Sequence, residues 1–213
     1  MAKDRREAIL GLLLRLRAMD LPRPLMAAFE SVPRQNFVPP MHLDASYGRG
    51  QLPIECGQTM TSPDTIARIL FNLEVRPGLR VLDIGSGTGY QAALISRMAG
   101  KVLSLERFHT LADKARQRIA ALGIDNVAVE LADGTQGRPG EVFDRIVANA
   151  SYGELPRHFL DQLASHGVAI APVGPPDGKQ MLMRLSKVGS RFDVTELFEV
   201  RMQPMAPGVA RAI

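Results

Sequence analysis

Val81-Leu82-Asp83-Ile84-Gly85-Ser86-Gly87-Thr88-Gly89-Tyr90 decides the reading of this chain. Val81 to Ile84 is a short apolar run with β-branched residues and one acid, the pattern of a strand buried in a parallel sheet. Three glycines at every second position end it. Glycine turns the backbone through positive φ and leaves bare main chain for a ligand to lie against. Residues 90–98 then bring Ala92, Ala93 and Ile95 onto a helix. Strand, glycine loop and helix together form the opening unit of a nucleotide-type site, with the ligand over the loop at the helix N-terminus.

The glycine spacing narrows the ligand. G-x-G-x-G departs from the dinucleotide fingerprint G-x-G-x-x-G, whose last glycine allows close helix packing beside a pyrophosphate. A second predicted strand, 101–106, ends in Glu106, 21 residues after Gly85. There the architecture puts a carboxylate on ribose hydroxyls. A ribose without a pyrophosphate points to S-adenosyl-L-methionine, and so to methyl transfer.

Composition bounds the rest. At 213 residues with 46% hydrophobic content the chain supports one compact domain with a sizeable core. Lys+Arg 26 against Asp+Glu 22 gives +4, a scattered excess that argues against nucleic acid as a partner while tolerating an acidic substrate group. The single cysteine, Cys56, excludes an internal disulfide, and the first six residues lack a signal-peptide core. No run reaches the length of a membrane span. The expectation is a cytoplasmic monomer with no membrane association. The four histidines show no metal-ligand spacing, and no metal is expected.

Around the glycine unit the chain predicts a helical cap and irregular substrate loop over 1–75, not a second sheet, and a cofactor-binding core over 76–200. Residues 4–19 carry apolar residues at Ile9, Leu10, Leu12, Leu13, Leu14, Leu16 and Met19 with basic residues between them, the pattern of an amphipathic helix, and 24–31 has that of a short second one. The stretch 46–63 is polar and rich in glycine and hydroxyls, the profile of a functional lid. At its end Thr61 or Ser62, the second better placed, caps a helix over 65–72 with Pro63 at its first turn. Thr59 and Thr61 remain to face a ligand carboxylate beside that helix N-terminus. Downstream, alternating strands and helices predict a doubly wound, mostly parallel Rossmann-like sheet of α/β class. Within it, residues 155–163 read as a helix, 180–187 and 193–200 as an antiparallel hairpin, and 202–213 as a loop-like, mobile end. Asp133 closes the third strand over the same crevice, where it either meets an adenine amino group or builds an Asp-Gly turn.

These residues, taken in order, resemble the protein-L-isoaspartate (D-aspartate) O-methyltransferases over nearly the whole chain. Ser31-Val-Pro-Arg-Gln-Asn-Phe-Val38 is similar to that family's N-terminal signature, and Leu52-Pro-Ile-Glu-Cys-Gly-Gln-Thr59 with Pro63 to its substrate loop. Val81 to Gln91 is similar to its cofactor loop, and Ala171-Pro-Val-Gly-Pro175 with Gln180 to its late strand and turn. The resemblance implies a class I S-adenosylmethionine methyltransferase fold, S-adenosyl-L-methionine as cofactor, and isoaspartyl-containing peptides and proteins as partners. It implies that Gly85, Gly87, Glu106, Asp133 and Gly134 bind the cofactor. The expected set around them adds Asp83, Ser86, Gly89 and Arg107. Thr61 takes the position that faces the substrate carboxylate, usually serine in the family, with Thr59 and Ser62 as the neighbouring hydroxyls. Two rivals stand beside this reading: the same scaffold methylating another carboxylate or a small molecule, and a cofactor-binding protein without turnover.

Overall fold

A computed structural model describes residues 2–210, and the side chains from Arg6 onward within the first helix. The elements in chain order are α1 (Ala2–Arg17), α2 (Arg23–Ser31), β1 (Leu52–Pro53), β2 (Thr59–Met60), α3 (Pro63–Leu73), β3 (Arg80–Ile84), α4 (Tyr90–Ser96), β4 (Lys101–Glu106), α5 (His109–Ala121), β5 (Val127–Leu131), β6 (Phe143–Ala148), α6 (Phe159–Gln162), β7 (Leu163–Val173), β8 (Gln180–Val188) and β9 (Arg191–Val200). Seven of these strands form one sheet in the order β5-β4-β3-β6-β7-β8-β9. β3 to β7 are mutually parallel, and β8 and β9 join antiparallel.

Strand alternation sorts the core into two faces. Val81, Val102, Val147 and Ile170 point into one apolar cluster, which also takes Leu12, Leu16, Phe29, Ile69 and Leu94 from the helices. Leu82, Ile84, Ile146 and Ala169 point into the other, which is covered by Phe143 and Phe159. The N-terminal helices therefore share one continuous core with the sheet. The second face carries little helix, because α6 is a single turn. The helix expected over 155–163 shrinks to the single turn of α6, because the chain from Leu163 is taken into β7 beside β6.

One further expectation is corrected. The lid does contain a second sheet, since Leu52 pairs with Met60 and Pro53 with Thr59, a ladder too short to show periodicity. On α1, Leu12 and Leu16 are buried, whereas Leu10 and Leu14 are more than half exposed. The apolar stripe is thus narrower than the leucine count suggests. No described helix is long and apolar enough to cross a membrane.

What positions the site is the switch in strand order. From β3 the chain steps outward to β4 and β5, then returns to β6 on the other side. The carboxyl ends of β3 and β6 therefore diverge into a crevice, where ligands bind in open α/β sheets.

Candidate active site

A cavity of about 290 Å³ occupies that crevice. Its floor is the glycine loop. Gly85 has φ +89 and Gly87 φ +53, values open to glycine and costly for other residues. The amides of Gly85 and Ser86 both donate to Leu105 O, at 2.8 and 3.1 Å, tying the loop to the end of β4. Gly134 completes the wall at the end of β5. A Cβ there would lie 2.5 Å from Ile84 Cγ2, so only hydrogen lets β5 approach so closely.

Glu106 lines the cavity at the end of β4 and is 5% exposed. Its Oε2 accepts Gly87 N–H at 2.8 Å and its Oε1 accepts Phe108 N–H at 3.0 Å. Burial pushes its acidity toward higher pH, and these backbone donors work against that push. An ionised carboxylate has about four acceptor positions. The amides of Gly87 and Phe108, with that of Arg107 beside them, leave acceptor capacity on it for ribose.

Beneath the loop lies a buried polar network around Asp83, which is fully buried at the end of β3. Asp83 Oδ1 accepts from Gln91 Nε2 at 3.1 Å and from Asn149 Nδ2 at 2.9 Å, and Oδ2 accepts from Ser104 Oγ at 2.6 Å. Ser104 in turn meets Ser86 Oγ at 2.5 Å. Burial raises the Asp83 carboxyl to about 6, against the pull of its three donors. Asn149 also donates to Gly85 O at 3.2 Å, so one amide binds the ends of β3 and β6 together.

The lid forms the opposite wall. Gln51, Ile54, Gln58, Thr59, Met60 and Thr61 face the cavity. The lid's turn runs through Cys56 and Gly57, both at positive φ. Lys114 Nζ holds its tip by donating to Glu55 Oε1 at 2.5 Å. Ile54 reaches the glycine loop, its Cδ1 being 3.6 Å from where a Gly87 Cβ would stand.

A third wall was not foreseen. The segment from Met202 to Ala206 also lines the cavity. Met205 N–H donates to Ser151 O and Ser151 N–H to Gln203 O, both at 2.8 Å. Arg107 Nε donates to Gly208 O at 3.0 Å, and Asp133 Oδ2 accepts Gly208 N–H at 2.7 Å. The described part of the expected mobile end is thus strapped across the crevice; residues 211–213 lie outside the described residues.

Of the expected site residues, Thr59, Thr61, Gly85, Ser86, Gly87, Glu106, Arg107 and Gly134 share this cavity. Asp83 lies under it. Gly89 is set back at the start of α4, where a Cβ would come within 3.1 Å of Ala115 Cβ. Ser62 is withdrawn from the cavity and accepts Thr65 N–H at 3.2 Å as the cap of α3. Asp133 does not line the cavity either. Its Oδ1 takes the amide and the hydroxyl of Thr135, at 2.8 and 2.7 Å, and its Oδ2 takes the tail. Gln91 and Asn149 were missed as loop supports. The signal for Gln91 was a polar side chain within an otherwise apolar buried run, Tyr90 to Ile95.

The family model for protein-L-isoaspartate(D-aspartate) O-methyltransferase matches residues 8–209. The chain belongs to that family. Among relatives, the protein-L-isoaspartate O-methyltransferase of a Bradyrhizobium species (strain BTAi1) is 44% identical over 190 residues, covering 89% of this chain and 88% of that protein. The enzyme of that name from Rhizobium meliloti is 39% identical over 187 residues, covering 87% and 92%. The fold agrees with solved members of the family. A Plasmodium falciparum protein of this description, crystallised with S-adenosyl-L-homocysteine, superposes with a TM-score of 0.79 at 25% identity, covering 92% of this chain and 97% of that one. Another protein-L-isoaspartate O-methyltransferase gives a TM-score of 0.84 at 26% identity, covering 94% and 67%.

Proposed function

We propose that this chain methylates the free carboxylate of L-isoaspartyl and D-aspartyl residues in damaged proteins and peptides, with S-adenosyl-L-methionine as the methyl donor. The observation that carries the reading is the apposition of two walls in one cavity: Gly85, Gly87 and Glu106 on one side, Thr59 and Thr61 on the other. The residues present fit the donor. Glu106 has acceptor positions left for a ribose diol, and the glycine loop offers bare main chain. When bound, S-adenosyl-L-methionine supplies an electrophilic methyl group on a sulfonium.

The chain's own task follows from the acceptor. A free aspartyl-type carboxylate, with pKa about 3.9, is already ionised at neutral pH. No side chain need remove a proton. What the protein must do is hold one carboxylate oxygen in line with the methyl group and exclude water. Neutral hydroxyls suit the first requirement, because they hold the anion while quenching it less than a direct guanidinium pair does. Among the described residues Arg107 is the one cation lining the cavity, and it is engaged with tail carbonyls. Ile54 from the lid and Met202 and Met205 from the tail supply apolar cover. The ester formed beside a backbone amide is prone to succinimide closure, which lets the damaged linkage return to normal without further help from the enzyme.

The decisive test is labelled methyl transfer to an isoaspartyl peptide and to its normal aspartyl twin. Labelling of the first alone is expected; equal or absent labelling of both overturns the assignment. The same reading takes one copy as the working unit, since loop, lid and tail of a single chain complete the cavity. Sedimentation at working concentration checks it.

A further inference from the structure

The N-terminal signature around Arg34 takes no part in the chemistry above, yet Arg34 is among the most buried side chains in the molecule, at 1% exposure. Its Nε donates to Ser46 O and its Nη2 to Thr61 O, each at 2.7 Å. Those carbonyls stand at the two ends of the lid. The guanidinium lies 4.9 Å from the ring centroid of Tyr90, the first residue of α4 and itself part of the cavity wall. A second arginine repeats the arrangement one step outward. Arg15 Nη2 donates to Tyr47 O at 2.8 Å, and its Nε and Nη2 grip the Asp64 carboxylate at 2.8 and 3.0 Å.

We propose that Arg34 is a positioning residue for methyl transfer, closing the neck of the lid so that Thr61 is held against the cofactor crevice. This rests on the function proposed above. A buried cation loses its hydration, and replacing one by a well-packed apolar side chain is often neutral or stabilising. Burial lowers the Arg34 pKa to about 10, so the group still carries its charge at neutral pH. Its Nη1 is buried without a hydrogen-bond partner. A side chain whose use was packing would avoid both penalties. What arginine uniquely offers is a rigid planar fork reaching two carbonyls at once. Those two carbonyls belong to residues 15 positions apart that must stay together for Thr59 and Thr61 to face the cavity.

The test compares Arg34→Met and Arg34→Lys with the parent protein by three readouts. S-adenosyl-L-homocysteine affinity is expected to stay within about threefold, because Glu106 and the glycine loop are untouched. For the isoaspartyl peptide, kcat/KM is expected to fall roughly tenfold to a hundredfold, the cost of a misplaced holding group. Lysine should rescue part of this, since one ammonium cannot span both carbonyls. Amide hydrogen exchange over residues 52–61 is expected to quicken about tenfold, the worth of one lost hydrogen bond, with β3 and β4 unchanged. Parental kcat/KM and parental exchange in a folded Arg34→Met protein overturn the proposal. Should that variant not fold, Arg34→Lys decides by the same two readouts. If the parent protein methylates neither peptide, the assigned reaction fails, while the exchange measurement still judges whether Arg34 holds the lid.

Discussion

The Ser62 hydroxyl accepts the Thr65 amide at 3.2 Å and donates to Thr65 Oγ1 at 2.9 Å. Two adjacent hydroxyls, Thr61 and Ser62, are thereby divided: Ser62 is spent on the start of α3, and Thr61 is left on the cavity wall. Ser62→Ala should cost about 1 kcal/mol of stability, as lost caps do, with little change in kcat. Thr61→Val should leave stability nearly intact and lower kcat/KM for the isoaspartyl peptide roughly tenfold to a hundredfold, the worth of one hydrogen bond to a charged acceptor. Thr61→Ser should keep most of the activity. Denaturant melts and steady-state rates on the three variants separate the two roles.

Glu106 gives the sharpest test of the cofactor side. Both of its oxygens are anchored by backbone amides, so its orientation is set before any ligand arrives. Glu106→Ala should weaken S-adenosyl-L-homocysteine binding roughly a hundredfold or more, since two charge-assisted hydrogen bonds are lost. Glu106→Gln should lose less, because one acceptor oxygen remains. Calorimetry with an unchanged dissociation constant for Glu106→Ala would mean that the ribose lies elsewhere.

Asp83 makes stability depend on pH in an unusual direction. Burial raises its carboxyl from 3.8 to about 6. Between those values the unfolded chain has released the proton that the folded chain still holds, so ionisation favours unfolding as pH rises. Relative to Asp83→Asn, the parent protein should lose about 3 kcal/mol of stability from about pH 3 to pH 7, with the difference flat above. Urea melts of both proteins across that range measure it. Asn149→Ala removes one of the donors that hold the anion, so the flat region should begin at a higher pH. An identical profile would show that the Asn149 amide does not stabilise the charge.

How much of this was legible in the chain depends on whether the information is local. The strands 101–106 and 143–148 match their expected bounds residue for residue, because buried parallel strands announce themselves as apolar runs. The cap at Ser62 and the carboxylate at Glu106 were likewise readable, one from capping chemistry and the other from its distance to Gly85. The β1–β2 ladder, at two residues a strand, is shorter than any period that could reveal it. Arg34 and the strap at 202–210 were hidden for a different reason. Their roles consist of partners 12 and 27 residues away for Arg34, and about 100 away for the tail, distances over which no local pattern speaks.

Asp133 offers the last test, because two accounts of it now diverge. The resemblance implies a direct contact with the adenine amino group. The structure gives both its oxygens to protein donors, Thr135 and Gly208. Modest burial raises its pKa, but the hydrogen bonds from Thr135 and Gly208 outweigh that and leave it below the ordinary value. Arg107 holds Gly208 from its carbonyl side. If Asp133 acts by holding the tail, Asp133→Ala and Arg107→Ala each free the wall formed by Pro204 to Ala206. Each should then weaken S-adenosyl-L-homocysteine binding and speed its release. Their effects should also fall short of additive, since the second substitution loosens a segment already loose. Against the inosine analogue, in which the adenine amino group is replaced by oxygen, Asp133→Ala should lose the same factor as against the adenosine ligand. A direct contact would instead make the loss specific to the amino group and additive with that of Arg107→Ala. Stopped-flow release rates for the four proteins of this cycle, taken with both ligands, distinguish a clamp on the tail from a reader of the base.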